Sequence, residues 1–198
     1  MKRLAVLLTL ATSALLSGCA GMRVVDSQVL AVANVPAGMQ LQGARYRFER
    51  LPSQVNNPEA GLAEQQAEQA LAAVGLVRDD AAAQLSVLVG FQGTQYLADP
   101  WAYPGGWGSV SISRGAGWGS GVGFGMDMRM PPPPQYRREV SLILRDLRSG
   151  QVVYETRAAH DGPWSDSTTI IATLFKAALA HFPNPPAGMQ RVNIEIPR

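Results

Sequence analysis

The residues best able to do chemistry together gather at His160-Asp161 and Ser165-Asp166. An imidazole, a carboxylate and a serine are the parts of an acyl-transfer triad, in which the imidazole accepts the hydroxyl proton and the carboxylate orients it. Triads are assembled in space from distant segments, and no G-x-S-x-G elbow exists to present a nucleophile. The cluster reads more simply as a strand end followed by a helix cap. Other chemistries fail on counting. One Cys and two His cannot build a multi-Cys or His-rich metal centre. The only Lys after Lys2 is Lys176, which follows Phe175 rather than Gly, so there is no Walker A loop. No glycine in the 115–125 run starts a G-x-G-x-x-G, because that motif needs both parities and every glycine there is odd. The arginines are scattered, with Arg137-Arg138 the single mature doublet, which gives no basic patch for nucleic acid. The expectation is no metal, no nucleotide, no nucleic acid and no catalytic residues.

The elements that would position these residues follow from periodicity. The chain has 198 residues, 46% hydrophobic and 16% charged, enough apolar material for one core. Val29 to Val35 is an apolar run and a candidate strand, and Pro36-Ala37-Gly38 a turn. Tyr46 and Phe48 alternate with Arg45, Arg47 and Glu49, which predicts a half-buried strand. Asn57-Pro58 opens a helix with Ala63, Ala67, Ala70, Leu71 and Val74 on one stripe, Glu64, Gln65, Glu68 and Gln69 on the wet face, and Gly75 at its end. Leu85 to Phe91 is a strand in phase. Val140, Leu142 and Leu144, the turn at 146–150, and Gln151 to Ala158 make a hairpin. A second helix spans roughly Ser165 to Phe182, capped by Ser165, Asp166 or Ser167, with a wide stripe from Ile170 to Phe182. Val192 to Ile196 is a last strand. Pro-Ala-Gly-Met-Gln at 36–40 returns at 186–190 and reads as one turn used twice. The order β-β-α-β-insertion-β-β-α-β predicts an α+β domain, a mainly antiparallel sheet with two helices packed on one face.

The beginning of the chain reads as an address. Lys2 and Arg3 precede an uncharged Leu/Ala-rich stretch from Leu4 to Leu16. As a helix those 13 residues reach only about 20 Å, short of a ~30 Å bilayer core, which favours a signal peptide over a permanent span. Leu16-Ser17-Gly18-Cys19 resembles the lipobox of bacterial lipoproteins. The resemblance implies that 1–18 is removed by cleavage between Gly18 and Cys19. It further implies that the Cys19 thiol carries diacylglyceryl and that the freed amine is acylated, for instance with palmitate. Ala20 is not the Asp associated with inner-membrane retention, so the resemblance implies the outer membrane, facing the periplasm. Residues 19–28 would be lipidated Cys and tether, and 29–198 a single domain. Removing Lys2 and Arg3 leaves 15 basic and 15 acidic residues, so the formal charge of +2 says nothing about partners.

Residues 99–135 break the globular composition. Nine of the chain's 20 glycines fall in 105–125, with Trp101, Trp107 and Trp118 in the same insertion and Pro131 to Pro134 at its end. Val110, Ile112, Trp118, Val122, Phe124, Met126, Met128 and Met130 are all even, whereas the glycines from 115 to 125 are odd. Period two predicts a β-hairpin, roughly 108–114 and 118–130, with one apolar and one nearly bare face. A bare glycine face suits close approach of a partner. Trp101, Trp107, Trp118 and Phe124 are the candidate contacts, and an envelope protein or peptidoglycan the candidate partner. A floppy low-complexity loop is the simpler reading, and a hairpin contributing to an oligomeric pore is a third.

The chain also resembles a widespread family of small Gram-negative lipoproteins with a periplasmic domain of unknown function. The residues carrying the likeness are Ala44-Arg45-Tyr46-Arg47-Phe48, Ala73-Val74-Gly75-Leu76, Leu85-Ser86-Val87-Leu88-Val89, the aromatic-Gly insertion, Leu144-Arg145-Asp146, and Gly150-Gln151-Val152-Val153-Tyr154. The chain departs from it at Tyr154, where Trp is common, and at Leu85-Ser86, where Asp-Leu is common. The resemblance carries over no catalytic residue and implies a non-enzymatic structural or accessory binding role at the envelope. The alternative is an envelope-polymer hydrolase using the His160, Asp161 and Ser165 region.

Overall fold

The computed structural model describes residues 21–97 and 134–197. Cys19, the lipobox, Trp101, Trp107, Trp118, Phe124 and the expected hairpin at 108–130 lie outside the described residues. Seven strands form one sheet: β1 Met22–Ala33, β2 Arg45–Glu49, β3 Val77–Arg78, β4 Leu85–Leu97, β5 Pro134–Asp146, β6 Val152–Gly162 and β7 Met189–Pro197. Two helices accompany it, α1 Pro58–Ala73 and α2 Ser167–Ala178. The spatial order is β3-β2-β4-β5-β6-β1-β7.

The sheet is mixed, which corrects the expectation of a mainly antiparallel one. β2 runs parallel to β3, with Tyr46 opposite Arg78, and parallel to β4, with Tyr46 opposite Leu85. The reason is the helix between them. Sixteen residues of α1 span about 24 Å, so the helix carries the chain back along the sheet and the next strand starts where the last one started. The same device recurs later. β6 and β7 are each antiparallel to β1, so they are parallel to one another with β1 between them, and α2 is the crossover.

β1 also begins earlier than expected. Residues 22–28, read as tether, are strand, and pair with β7 from Met22↔Pro197 to Leu30↔Met189. Val25, Ser27 and Val29 face inward and are buried. β5 likewise extends back to Pro134, and β4 forward to Leu97. β3 is two residues long and carries no periodicity to read. The hairpin between β5 and β6 forms as expected, closed by Asp146 N–H donating to the Gln151 carbonyl at 2.9 Å. Asp146 accepts from Arg148 N–H and the Ser149 hydroxyl, and these bonds hold its carboxyl below the usual range. The repeated pentapeptide bends the chain alike at its glycine, since Gly38 and Gly188 both have φ of +84°, a conformation that side chains with a Cβ rarely adopt, but only the first copy closes a turn, with Met39 N–H donating to the Pro36 carbonyl at 3.0 Å. Gly90 serves differently: a Cβ there would lie 2.3 Å from Ser141 Oγ.

The helices differ in what they bury. α1 starts with the Asn57 side chain accepting from Glu59 N–H at 2.9 Å, and buries Ala63, Ala67, Ala70 and Leu71. Glu64, expected on the wet face, is buried instead. It accepts a two-pronged bond from Arg50, both distances 2.6 Å. α2 is shorter than expected, ending at Ala178, and buries Ile170, Thr173, Leu174, Phe175, Ala177 and Ala178. These larger side chains make it the helix that fills the core.

The chain divides into two compact units. Among the described residues the larger comprises 21–92, 138–160 and 166–197, and the smaller 93–97, 134–137 and 161–165. Among the described residues of the smaller unit, the Asp161 carboxylate accepts from the Tyr96 hydroxyl and from Arg137, each at 3.2 Å.

Candidate functional site

The polar side chains that sequence singled out lie around the start of α2 and the far half of β6. His160 sits at the end of β6 with 5% of its surface exposed. Its Nδ1 is 2.7 Å from the main-chain carbonyl of Asp26 in β1. A carbonyl only accepts, so Nδ1 carries the proton and donates it. In a triad that nitrogen would be held by a carboxylate. Here it is held by backbone. The β1–β6 ladder runs from Ala33↔Tyr154 to Gln28↔Ala159, and just beyond its end the imidazole bonds a β1 carbonyl. His160 thus fastens β6 to β1 through a side-chain bond. Its Nε2 and the nearby Ser27 hydroxyl are buried with no hydrogen-bond partner among the described residues.

Asp166 precedes α2 at the cap position, as expected of that cluster, but its side chain does not cap its own helix. It takes a two-pronged bond from Arg23 of β1, one prong 2.7 Å. The Arg23 bond holds the Asp166 carboxyl below its ordinary value. Arg138 of β5, 2% exposed, donates to the Ser167 hydroxyl through Nε and Nη2 at 3.2 and 3.1 Å. Two arginines from two strands therefore fix the first turn of α2. At the other end the Thr156 hydroxyl donates to the Ala178 carbonyl at 2.8 Å. The arrangement locks a helix onto a sheet. Sequence reasoning missed Arg23 and Arg138, because no local pattern distinguishes an arginine that reaches a helix 143 positions away.

A second polar cluster lies by β2 and β3. The Tyr46 and Phe48 rings meet edge to face at 5.4 Å, and the Arg78 guanidinium lies 5.0 Å from the Phe48 ring centre. Arg78 pairs with Glu68 at 2.8 Å, and Arg45 with Asp79 at 2.8 Å. Burial pushes the Tyr46 phenol up to about 12, with Glu68 adding to it. Asp79 accepts from the N–H groups of Ala82 and Ala81, which lower its pKa, and Arg45 lowers it further. Among the described residues no group of three His, Cys, Asp or Glu side chains could hold a metal ion. No described helix is long and apolar enough to cross a membrane.

These features define a class: a strand-dominated mixed sheet with two crossover helices, whose polar network is built to hold the helices in place. The chain belongs to the family described as "Domain of unknown function (DUF4136)", whose model matches residues 37–184. β1 and β7 lie outside that match. No curated protein matches the chain. Among solved structures the chain is similar to a PDZ domain protein from Parabacteroides distasonis, with 12% identity and a TM-score of 0.52. That likeness covers 94% of this chain and 42% of that one, so this chain spans less than half of its length. It is also similar to PelC dodecamers from Paraburkholderia phytofirmans, with 16% identity and a TM-score of 0.45 over 78% of this chain and 95% of that one, and with 15% identity and 0.44 over 77% and 96%. At these identities the PDZ domain protein attests the fold alone.

Proposed function

We propose that the chain is a lipid-anchored protein of the outer membrane, facing the periplasm, with a non-enzymatic structural or accessory binding role in the envelope. The observation that carries this is the run Leu16-Ser17-Gly18-Cys19 at the end of a short apolar stretch that Lys2 and Arg3 precede. Three acyl chains would make the anchor permanent where a single chain binds only reversibly. Support for the non-enzymatic part is that the imidazole of His160 is oriented by a main-chain carbonyl rather than a carboxylate, while Asp161 is engaged by Tyr96 and Arg137 and Asp166 by Arg23. Trp101, Trp107, Trp118 and Phe124 supply the contacts to an envelope protein or to peptidoglycan. The test is mass spectrometry of the membrane-extracted protein. A mature chain starting at a triacylated Cys19, and unprocessed precursor for Cys19→Ala, is expected. An unmodified Cys19 or a different mature start defeats the proposal. Crosslinking in cells from positions 107 and 118 then identifies the partner.

A further inference from the structure

We infer that the corner of the sheet bearing Met22 and Val24 is laid against the phospholipid bilayer, with no free tether between anchor and domain. This rests on the lipid-anchor reading above. β1 is already strand at Met22. Three peptide units separate it from Cys19, a reach of at most roughly 11 Å. A lipidated Cys19 sits at the bilayer surface, so the start of β1 must lie within that distance of it. The exposed face at this corner is partly apolar: Met22 is 54% exposed and Val24 48% exposed, Pro197 lies across from Met22 on β7, and the exposed Glu195 across from Val24 limits the contact to the depth of the headgroups.

The remainder of the same sheet face does not suit it. Arg191 pairs with Asp26 at 3.4 Å and Arg157 with Glu139 at 3.7 Å, and burying such charges against hydrocarbon is costly. The contact is therefore confined to the corner, and the sheet stands away from the membrane. Val32 provides an internal control. It lies on the same strand and the same face, is 59% exposed, and sits eight residues along, roughly 27 Å away at about 3.4 Å per residue. Exposure alone does not separate Val24 from Val32; distance from Cys19 does.

The experiment uses full-length lipidated protein in vesicles of phosphatidylethanolamine and phosphatidylglycerol containing a doxyl-labelled phospholipid. Val24→Cys and Val32→Cys are each labelled with a thiol fluorophore, the Cys19 thiol being consumed by its lipid. Quenching several-fold stronger at position 24 than at 32 is expected, and Met22→Cys should match position 24. Equal quenching at 24 and 32, whether both strong or both absent, overturns the inference. Vesicle flotation is read first on the same samples. Protein that fails to float defeats the anchor reading itself, whereas protein that floats with equal quenching defeats only the orientation.

Discussion

The flank made by β3, β2 and β4 and the flank made by β6, β1 and β7 both use a helix to cross the sheet, yet the ties that hold the two helices come from different distances along the chain. On the first, α1 starts on a local cap, Asn57 to Glu59, and packs through alanines and one leucine. On the second, α2 starts on Arg23 and Arg138, which reach it from β1 and β5, and it packs through Ile170, Leu174 and Phe175. The first helix is thus held by a local cap and by Arg50 and Arg78, which pair with Glu64 and Glu68 from 14 and 10 positions away, and the second by arginines up to 143 positions away. Both helices use ion pairs, and the two sides differ in how far along the chain the partners lie and in the size of the side chains packed beneath.

The sharpest test of that contrast is in the core. Phe175→Ala should lower unfolding free energy by about 3–5 kcal/mol, as expected for removing a fully buried aromatic ring. A loss under about 1 kcal/mol in denaturant titration would show that α2 is not the helix that fills the core. Next comes the local cap. Asn57→Ala should cost about 1 kcal/mol, independent of salt, because a neutral hydrogen bond is lost. A strong salt dependence would show that the cap is coupled to the Arg50–Glu64 and Arg78–Glu68 pairs of the same helix. The smallest effect concerns the ion pair. Arg23 lowers the Asp166 pKa from its ordinary 3.8, so the carboxylate stabilises the fold above that pH and the contribution disappears as pH falls through the lower folded value. Asp166→Asn should therefore melt below the parent at neutral pH, and the two melting curves should converge below about pH 3.8. Curves that stay equally separated down to pH 2 would remove the ion pair from the account.

The same contrast decides how much of the fold could be read in advance. Tyr46 and Phe48, the Asn57-Pro58 start and the α2 stripe are local patterns, and each marks an element that formed, although α2 stops at Ala178, short of Phe182. Strand direction is not local. Nothing in Arg45 to Glu49 says whether its neighbour runs with it or against it, and expecting hairpins missed what a helix of α1's length does to the path. Ser27 hid the start of β1: a small polar residue at a core-facing position broke the apolar alternation over Val25, Ser27 and Val29. Glu64 was misplaced for a related reason, since its burial depends on Arg50, 14 positions back. For the candidate site, the strand followed by a helix start was legible around His160 and Ser165 to Ser167, while the bond from His160 to the Asp26 carbonyl and the turning of Asp166 to Arg23 depend on β1, more than 130 positions away.

The ladder between β1 and β7 joins positions 159 to 175 apart in sequence. Closing so long a loop is entropically slow, and such pairings govern folding rate. β1 is made at the start of the domain and cannot complete its pairing until β7 has followed, so one side of β1 stays open until the last strand of the sheet exists.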